Sequence, residues 1–393
     1  MMTADLVIDG KQRHVLMQPC KNGYMYVLDA QTGELLRANA FTDVNWSDGV
    51  DLKTGRPRVV PAARYANDAW NLAPGVQGAH GWHSNAFSPQ TGLLYIATQE
   101  AYFTMAHDPT YKRALVGSNN GARFNAELPG AKVGFTGYLQ AWDPVAAKSV
   151  WKTESNQGPA GGALATASGL VFQGNGNGQP GSVVNTNAVG VGPGAQPQLR
   201  AFDARTGEKL WGFDVQTAIL SSPITYELDG AQYVAVSVGG PIAGGDYYAP
   251  NYSRLLVFEL GGKVSLPPTK PYVARPLDPP PATASVEVVR TGEAKYGQFC
   301  AICHGDNGNV RGANFPNLTR TPLLHAQPAF DAVVLRGALQ SKGMASFADA
   351  LTADDTQAVR AYLVKRANDL KIAAAAGAAL PAQGGTGTIE PGR

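Results

Sequence analysis

The sequence predicts an all-β propeller, partial and of about four blades, followed by a small all-α domain. Three observations predict it. Strand–turn–strand units repeat through the first 262 residues, some closing on tryptophan. A proline-rich stretch at 263–284 ends the repeats. Beyond it, CAICH at 300–304 stands among helical patterns. Glycine (46) and proline (27) are plentiful and only 16% of the 393 residues are charged, a balance that suits turn-rich β structure.

The repeat is legible in LDAQTGELL (28–36), AWDPVAAKSVW (141–151) and AFDARTGEKLW (201–211). Each predicts a strand ending at aspartate, a tight turn and a second strand. The carboxylate caps the turn, glycine takes the positive φ, and the closing indole docks on a neighbouring sheet. SPQTGLLYIAT (88–98) has the same turn without the tryptophan. Runs such as HVLMQ, YMYVLD, LVFQG, QYVAVSV and RLLVFEL supply further strands. Tandem units of this kind are propeller blades, and four of them leave a propeller open.

The stretch 174–198 is low in complexity and reads as a surface insertion. Its GNGQPG matches a phosphate-loop pattern in letters only, because no helix follows. The linker at 263–284 divides the propeller blades of residues 1–262 from a helical domain, 285–370. In that domain 286–299 is the first helix, presenting Tyr296 and Phe299 towards the edge of the haem that 300–304 would attach, and 329–336 a middle helix ending at Gly337. The last helix spans 352–368, with Thr352 as N-cap, Asp355 at N3 and Val359, Tyr362 and Leu363 on its apolar face. Residues 371–393 read as a disordered tail.

CAICH has the spacing that attaches a c-type haem: Cys300 and Cys303 form two thioethers and His304 is the iron's fifth ligand. Met344, in KGMASF, is the candidate sixth ligand, since small neighbours let a thioether approach the iron. Met/His ligation raises the potential, as an electron acceptor requires. A zinc half-site would need more ligands, and the third cysteine, Cys20, is far away in sequence and reads as a packed thiol. The helical domain is therefore a cytochrome c domain.

A net charge of +2 with no basic run argues against nucleic-acid binding, and no apolar window is long enough to span a membrane. The opening MMTADLVIDG is no secretory signal, although haem attachment to CxxCH normally occurs on exported proteins. This conflict and the open propeller lead us to expect that the biological start lies upstream of Met1.

Taken together, ADLVIDGKQRHVLMQ, KNGYMYVLDAQTGELL, NWSDGVDLKTGRP, GAHGWHSNAFSPQTGLLYIA, AFDARTGEKLW and CAICHG with GMASFADALT resemble the PQQ-dependent quinohaemoprotein alcohol dehydrogenases. The resemblance implies an eight-bladed propeller holding pyrroloquinoline quinone (PQQ) and calcium, with a C-terminal cytochrome c domain that takes the electrons. It implies an alcohol substrate, a downstream acceptor (cytochrome, copper protein or quinone oxidase chain) and a periplasmic location. By the same resemblance Lys21 is the cation on the quinone carbonyls and Trp82 lines the cofactor pocket. A lysine beside Asn22-Gly23 also suits an exposed turn, and Trp82 also suits blade packing. Gly239 and Gly240 match a glycine pair near the cofactor. Gly81 stands where family members often carry Asp or Asn, and so lacks a hydrogen-bonding side chain. His80 and His83 read as satisfied polar residues rather than metal ligands. The family's catalytic aspartate and calcium ligands fall before Met1, so no catalytic residue is assigned and the chain alone is expected to be inactive. The alternative reading is a non-enzymatic electron carrier on an incomplete propeller; a sugar- or aldehyde-oxidising relative would share the architecture.

Overall fold

The structure, a computed structural model, describes residues 1–109, 111, 121–124, 126–132, 134–153, 160–175, 197–239, 252–269, 275–305, 308 and 315–376. The 174–198 insertion lies largely outside the described residues, as do Gly240 and 377–393. The chain divides into two compact units. One holds 1–109, 122–244 and 250–271; the other holds 110–121, 245–249 and 272–393.

Among the described residues, the first unit is built from four antiparallel sheets and a short ribbon. Sheet one runs β1 (Met2–Ile8), β2 (Lys11–Pro19), β3 (Tyr24–Asp29), β4 (Leu35–Ala40), in chain order. A two-stranded ribbon, β5 (Ser47–Val50) with β6 (Pro57–Val59), follows. Sheet two collects β7 (Trp70–Leu72), β8 (Ala86–Ser88), β9 (Leu93–His107), β10 (Ala122–Phe124), β11 (Gly134–Asp143) and β12 (Lys148–Lys152) around the long β9. Sheet three is β13 (Ala160–Ala165), β14 (Leu170–Asn175), β15 (Gln198–Asp203), β16 (Lys209–Asp214). Sheet four is β17 (Ile224–Leu228), β18 (Ala231–Val238), β19 (Arg254–Glu259). Four consecutive sheets match the predicted four blades.

The turns form as the repeat requires. Asp29 Oδ1 accepts from the Gln31 and Thr32 amides, and the Gly33 amide donates to the Asp29 carbonyl at 2.9 Å, with φ at +78°. Asp203 and Gly207 repeat this arrangement, and so do Asp51 and Gly55. At 143–147 the left-handed position falls to Ala147.

Side-chain alternation then stacks the sheets. On β9, Leu94 and Ile96 pack with Val15, Met17 and Val27 of sheet one, while Leu93 and Tyr95 pack with Val171 and Phe202 of sheet three. Period-two alternation puts these sets on opposite faces, so the strand is buried on both. Leu199 of sheet three meets Val236 and Val238 of sheet four in a third layer. Each fully buried Leu, Ile or Val contributes about 1.5–3 kcal/mol. The closing tryptophan docks as expected: Trp151 Nε1 donates to the Ala204 carbonyl of the next sheet at 3.1 Å, and the Tyr95 hydroxyl donates to the same oxygen at 3.0 Å.

Among the described residues, the second unit has three longer α-helices, a one-turn α-helix and short 3-10 turns. α1 (Val286–Phe299) leads through Cys300 into α2 (Ala301–His304); α3 (Gln327–Val334) and α4 (Ala353–Ala375) follow. α1 has the predicted bounds. α3 starts and ends two residues before the predicted span, with Pro328 in its first turn. The capping box at Thr352 and Asp355 forms in full. α4 outruns its predicted end, because the alanine-rich residues after 368 are strong helix formers. The first residues of the expected tail are therefore helical.

Candidate cofactor sites of the propeller and of the helical unit

In the helical unit, Cys300, Cys303 and His304 occupy one turn. The Cys303 and His304 amides both donate to the Cys300 carbonyl, at 3.2 and 2.9 Å. The turn is braced by Tyr296, whose hydroxyl donates to the Gly305 carbonyl at 2.6 Å. Both cysteines are free and half-buried, and burial pushes the Cys300 thiol up to about 12.

His304 is buried, and burial lowers its pKa. Its Nδ1 lies 3.1 Å from the Pro316 carbonyl. A carbonyl only accepts, so Nδ1 carries the proton and Nε2 keeps a lone pair for an iron. Met344 is half-buried and follows Gly343, which has φ at +92°. Its loop is anchored through Phe347, whose amide donates to the Val334 carbonyl at 2.8 Å. The Phe347 ring meets Phe299, the residue before Cys300, edge-on at 6.3 Å. Donor types, tautomer and loop anchoring all fit a c-type haem.

In the propeller unit, the turn after β2 holds Cys20, its thiol raised by burial, and Lys21. The Lys21 carbonyl accepts from the Ala79 amide at 2.9 Å, and its side chain runs against Gly78 so closely that a Cβ there would collide with it. Lys21 is exposed and forms no ion pair among the described residues. Trp82 is not blade packing: it is 72% exposed and stacks on the His83 ring at 4.4 Å. The Ser84 carbonyl accepts from the Ala163 amide at 2.9 Å, joining this loop to sheet three. Gly239 donates its amide to the Ala218 carbonyl at 2.9 Å, next to Ser253. The structure thus brings Lys21 to the loop that carries Trp82, a pairing invisible in sequence.

The two loop histidines differ. His80 Nδ1 lies 2.9 Å from the Ala97 carbonyl and so donates to it, and the Asn85 amide donates to Nε2 at 3.4 Å. His83 corrects the expectation of a satisfied residue: its Nδ1 is buried with no hydrogen-bond partner among the described residues. Sequence patterns carry no signal for this, since burial of position 83 comes from non-local packing. Among the described residues no three of His, Cys, Asp and Glu gather as a metal-binding group.

Burial, with a smaller contribution from His80, lowers the His83 pKa to about 4. Above pH 6.5 the ring is neutral in folded and unfolded chains alike. As pH falls from 6.5 to 4 the unfolded chain takes the proton first, so stability is lost across that window, on the order of 3 kcal/mol. A His83→Phe variant should show a flatter dependence of Tm on pH between 6.5 and 4. Identical slopes in the two proteins would contradict this.

Known proteins place both units. Residues 60–234 match the family described as glucose/ethanol/alcohol dehydrogenase, beta-propeller domain. Residues 287–363 match cytochrome C oxidase, cbb3-type, subunit III. The chain is 40% identical over 377 residues to a quinohemoprotein alcohol dehydrogenase, ADH IIB, of Pseudomonas putida, covering 92% of this chain and 51% of that protein. It is 37% identical over 392 residues to the dehydrogenase subunit of the alcohol dehydrogenase (quinone) of Acetobacter aceti, covering 94% and 50%. The crystal structure of the Comamonas testosteroni quinohemoprotein alcohol dehydrogenase superposes with a TM-score of 0.68 at 33% identity, covering 94% of this chain and 53% of that one. The chain spans about half the length of the curated relatives it matches. Propeller sheets, helical unit and relatives agree: the chain belongs to the quinohaemoprotein alcohol dehydrogenase family, of which it carries propeller blades and the cytochrome c domain.

Proposed function

We propose that this chain works as the C-terminal portion of a PQQ-dependent alcohol dehydrogenase that passes electrons to its own haem c. The observation that carries the reading is continuity. Alcohol-dehydrogenase-type blades run in one chain into a helical unit whose Cys300–His304 turn has the donors and tautomer that a haem needs.

When bound, PQQ would supply hydride acceptance from the alcohol and haem c would supply one-electron transfer. The residues of this chain hold and tune these groups. Lys21 places an unpaired positive charge beside the 78–84 loop, where it stabilises negative oxygens. Trp82 offers a flat aromatic wall. Cys300 and Cys303 would attach a haem covalently, and His304, through Nε2, and Met344 would ligate its iron. The division into propeller blades (residues 1–262), linker (263–284), haem domain (285–370) and tail from 371 belongs to this reading, with the tail's first residues continuing α4. So do a periplasmic location and a cytochrome, copper protein or quinone oxidase chain as acceptor. No helix among the described residues is long and apolar enough to cross a membrane.

The test is optical. Given alcohol, PQQ and calcium, a full-length protein carrying this chain should reduce its own haem, seen as a sharpened α band. A haem that dithionite reduces and alcohol does not would point instead to an electron carrier.

A further inference from the structure

Lys21 stands on a turn that hydrogen bonds hold at each residue. The Gly23 amide donates to the Cys20 carbonyl at 3.1 Å, and the Cys20 amide to the Tyr24 carbonyl at 2.9 Å. Trp46 Nε1 donates to the Asn22 carbonyl at 3.0 Å, and the Phe41 amide to the Gly23 carbonyl at 3.0 Å. Gly78 is held as firmly from the opposite side. Its amide donates to the Gly75 carbonyl at 2.8 Å. Two further bonds of 2.7 Å tie its neighbours to β9, from the Gly75 amide to the Ala101 carbonyl and from the Gln99 amide to the Ala79 carbonyl. The two segments meet where the Ala79 amide donates to the Lys21 carbonyl at 2.9 Å.

At this junction Gly78 is the floor under the lysine. Its φ is +77°, and a Cβ there would overlap Lys21 Cγ and stand 2.7 Å from the Lys21 carbonyl oxygen and 3.1 Å from Cε. The stem therefore lies along the glycine from Cγ to Cε, an approach that a residue without a side chain permits. A lysine in solvent otherwise keeps its rotamer freedom, and fixing it on a ligand costs that freedom. A glycine floor restrains the stem by contact alone and leaves the ammonium charge uncompensated. The same loop continues to Trp82, which is exposed.

We propose that Gly78 is a positioning residue: it seats the Lys21 stem and so pre-organises the ammonium that the quinone oxygens meet. The assignment rests on the PQQ reading above and adds to it a residue that acts on the cofactor only through Lys21.

A double-mutant cycle on a full-length protein carrying this chain tests it. Equilibrium dialysis of PQQ, with calcium, compares wild type, Gly78→Asn, Lys21→Ala and the double variant. Asparagine adds a Cβ and is among the L residues that best accept a positive φ. We expect Gly78→Asn to raise Kd about tenfold. In the Lys21→Ala background the same change should move Kd by less than twofold, because the group it positions is gone. Gly92→Asn is the control: φ there is +70° and a Cβ meets nothing within 4 Å, so it should bind PQQ as wild type does. NMR relaxation of the lysine side chains in the unaltered chain, without PQQ, is a second reading that holds even where Gly78→Asn folds poorly. Lys21 Cε should be clearly more ordered than Cε of Lys53, another exposed lysine. A Lys21 Cε as mobile as that of Lys53, a Gly78→Asn Kd within twofold of wild type, or a full further loss in the double variant overturns the inference and leaves the PQQ reading standing. No saturable binding to wild type overturns both.

Discussion

Replacing Cys300 and Cys303 together by alanine should leave the protein with no covalent haem. Haem staining on a denaturing gel should disappear, and each single variant should keep one thioether and a weaker band. The expectation follows from the turn at the end of α1. Cys300 closes that helix, its carbonyl accepts from the Cys303 and His304 amides, and both thiols are free. No substitute is at hand, because the third thiol, Cys20, belongs to the propeller unit. Met344→Ala should keep covalent haem and lower its potential, since thioether ligation is what holds the potential up. Stainable haem in the double variant would show attachment elsewhere.

The second large effect concerns Gly292 in the middle of α1. A Cβ there would stand within the Ala358 carbonyl of α4 and 3.0 Å from the Val359 nitrogen. These are backbone atoms of a facing helix, so no side chain can turn aside to make room. Gly292→Ala should force the helices apart and destabilise the helical unit by about 3 kcal/mol. For a domain of this size that is a fall in Tm of roughly 10–20 °C. Gly297, on the same helix, is the control. A Cβ there meets nothing within 4 Å, so Gly297→Ala should gain up to about 1 kcal/mol of helix propensity. Thermal melts of the full chain followed at the haem absorbance should order the proteins Gly297→Ala, wild type, Gly292→Ala, the last well separated. Equal melting of the two variants would mean that α1 and α4 do not meet at Gly292.

Both sites lie within short stretches of chain that the sequence announces, yet they differ in what it can say. The haem turn is local chemistry: two thiols and an imidazole within five residues need no tertiary information to be recognised. The same holds for the Asp29–Gly33 and Asp203–Gly207 turns, where carboxylate and glycine act on amides two to four residues away. It holds for the Thr352 capping box as well. Gly292 looks in sequence like a helix-weakening residue, and only the approach of α4 gives it a purpose.

The amino-acid sequence by itself determined the class of fold, the number of blades, the haem motif and the starts of the first and last helices, because each rests on periodicity or on contacts within a few residues. Tertiary structure alone decided that Trp151 and Tyr95 share the Ala204 carbonyl, that Lys21 lies along Gly78, and that His83 is buried with an open nitrogen while Trp82 is exposed. These contacts join residues tens of positions apart. Burial depends on what the neighbouring sheets bring, and no local pattern encodes it.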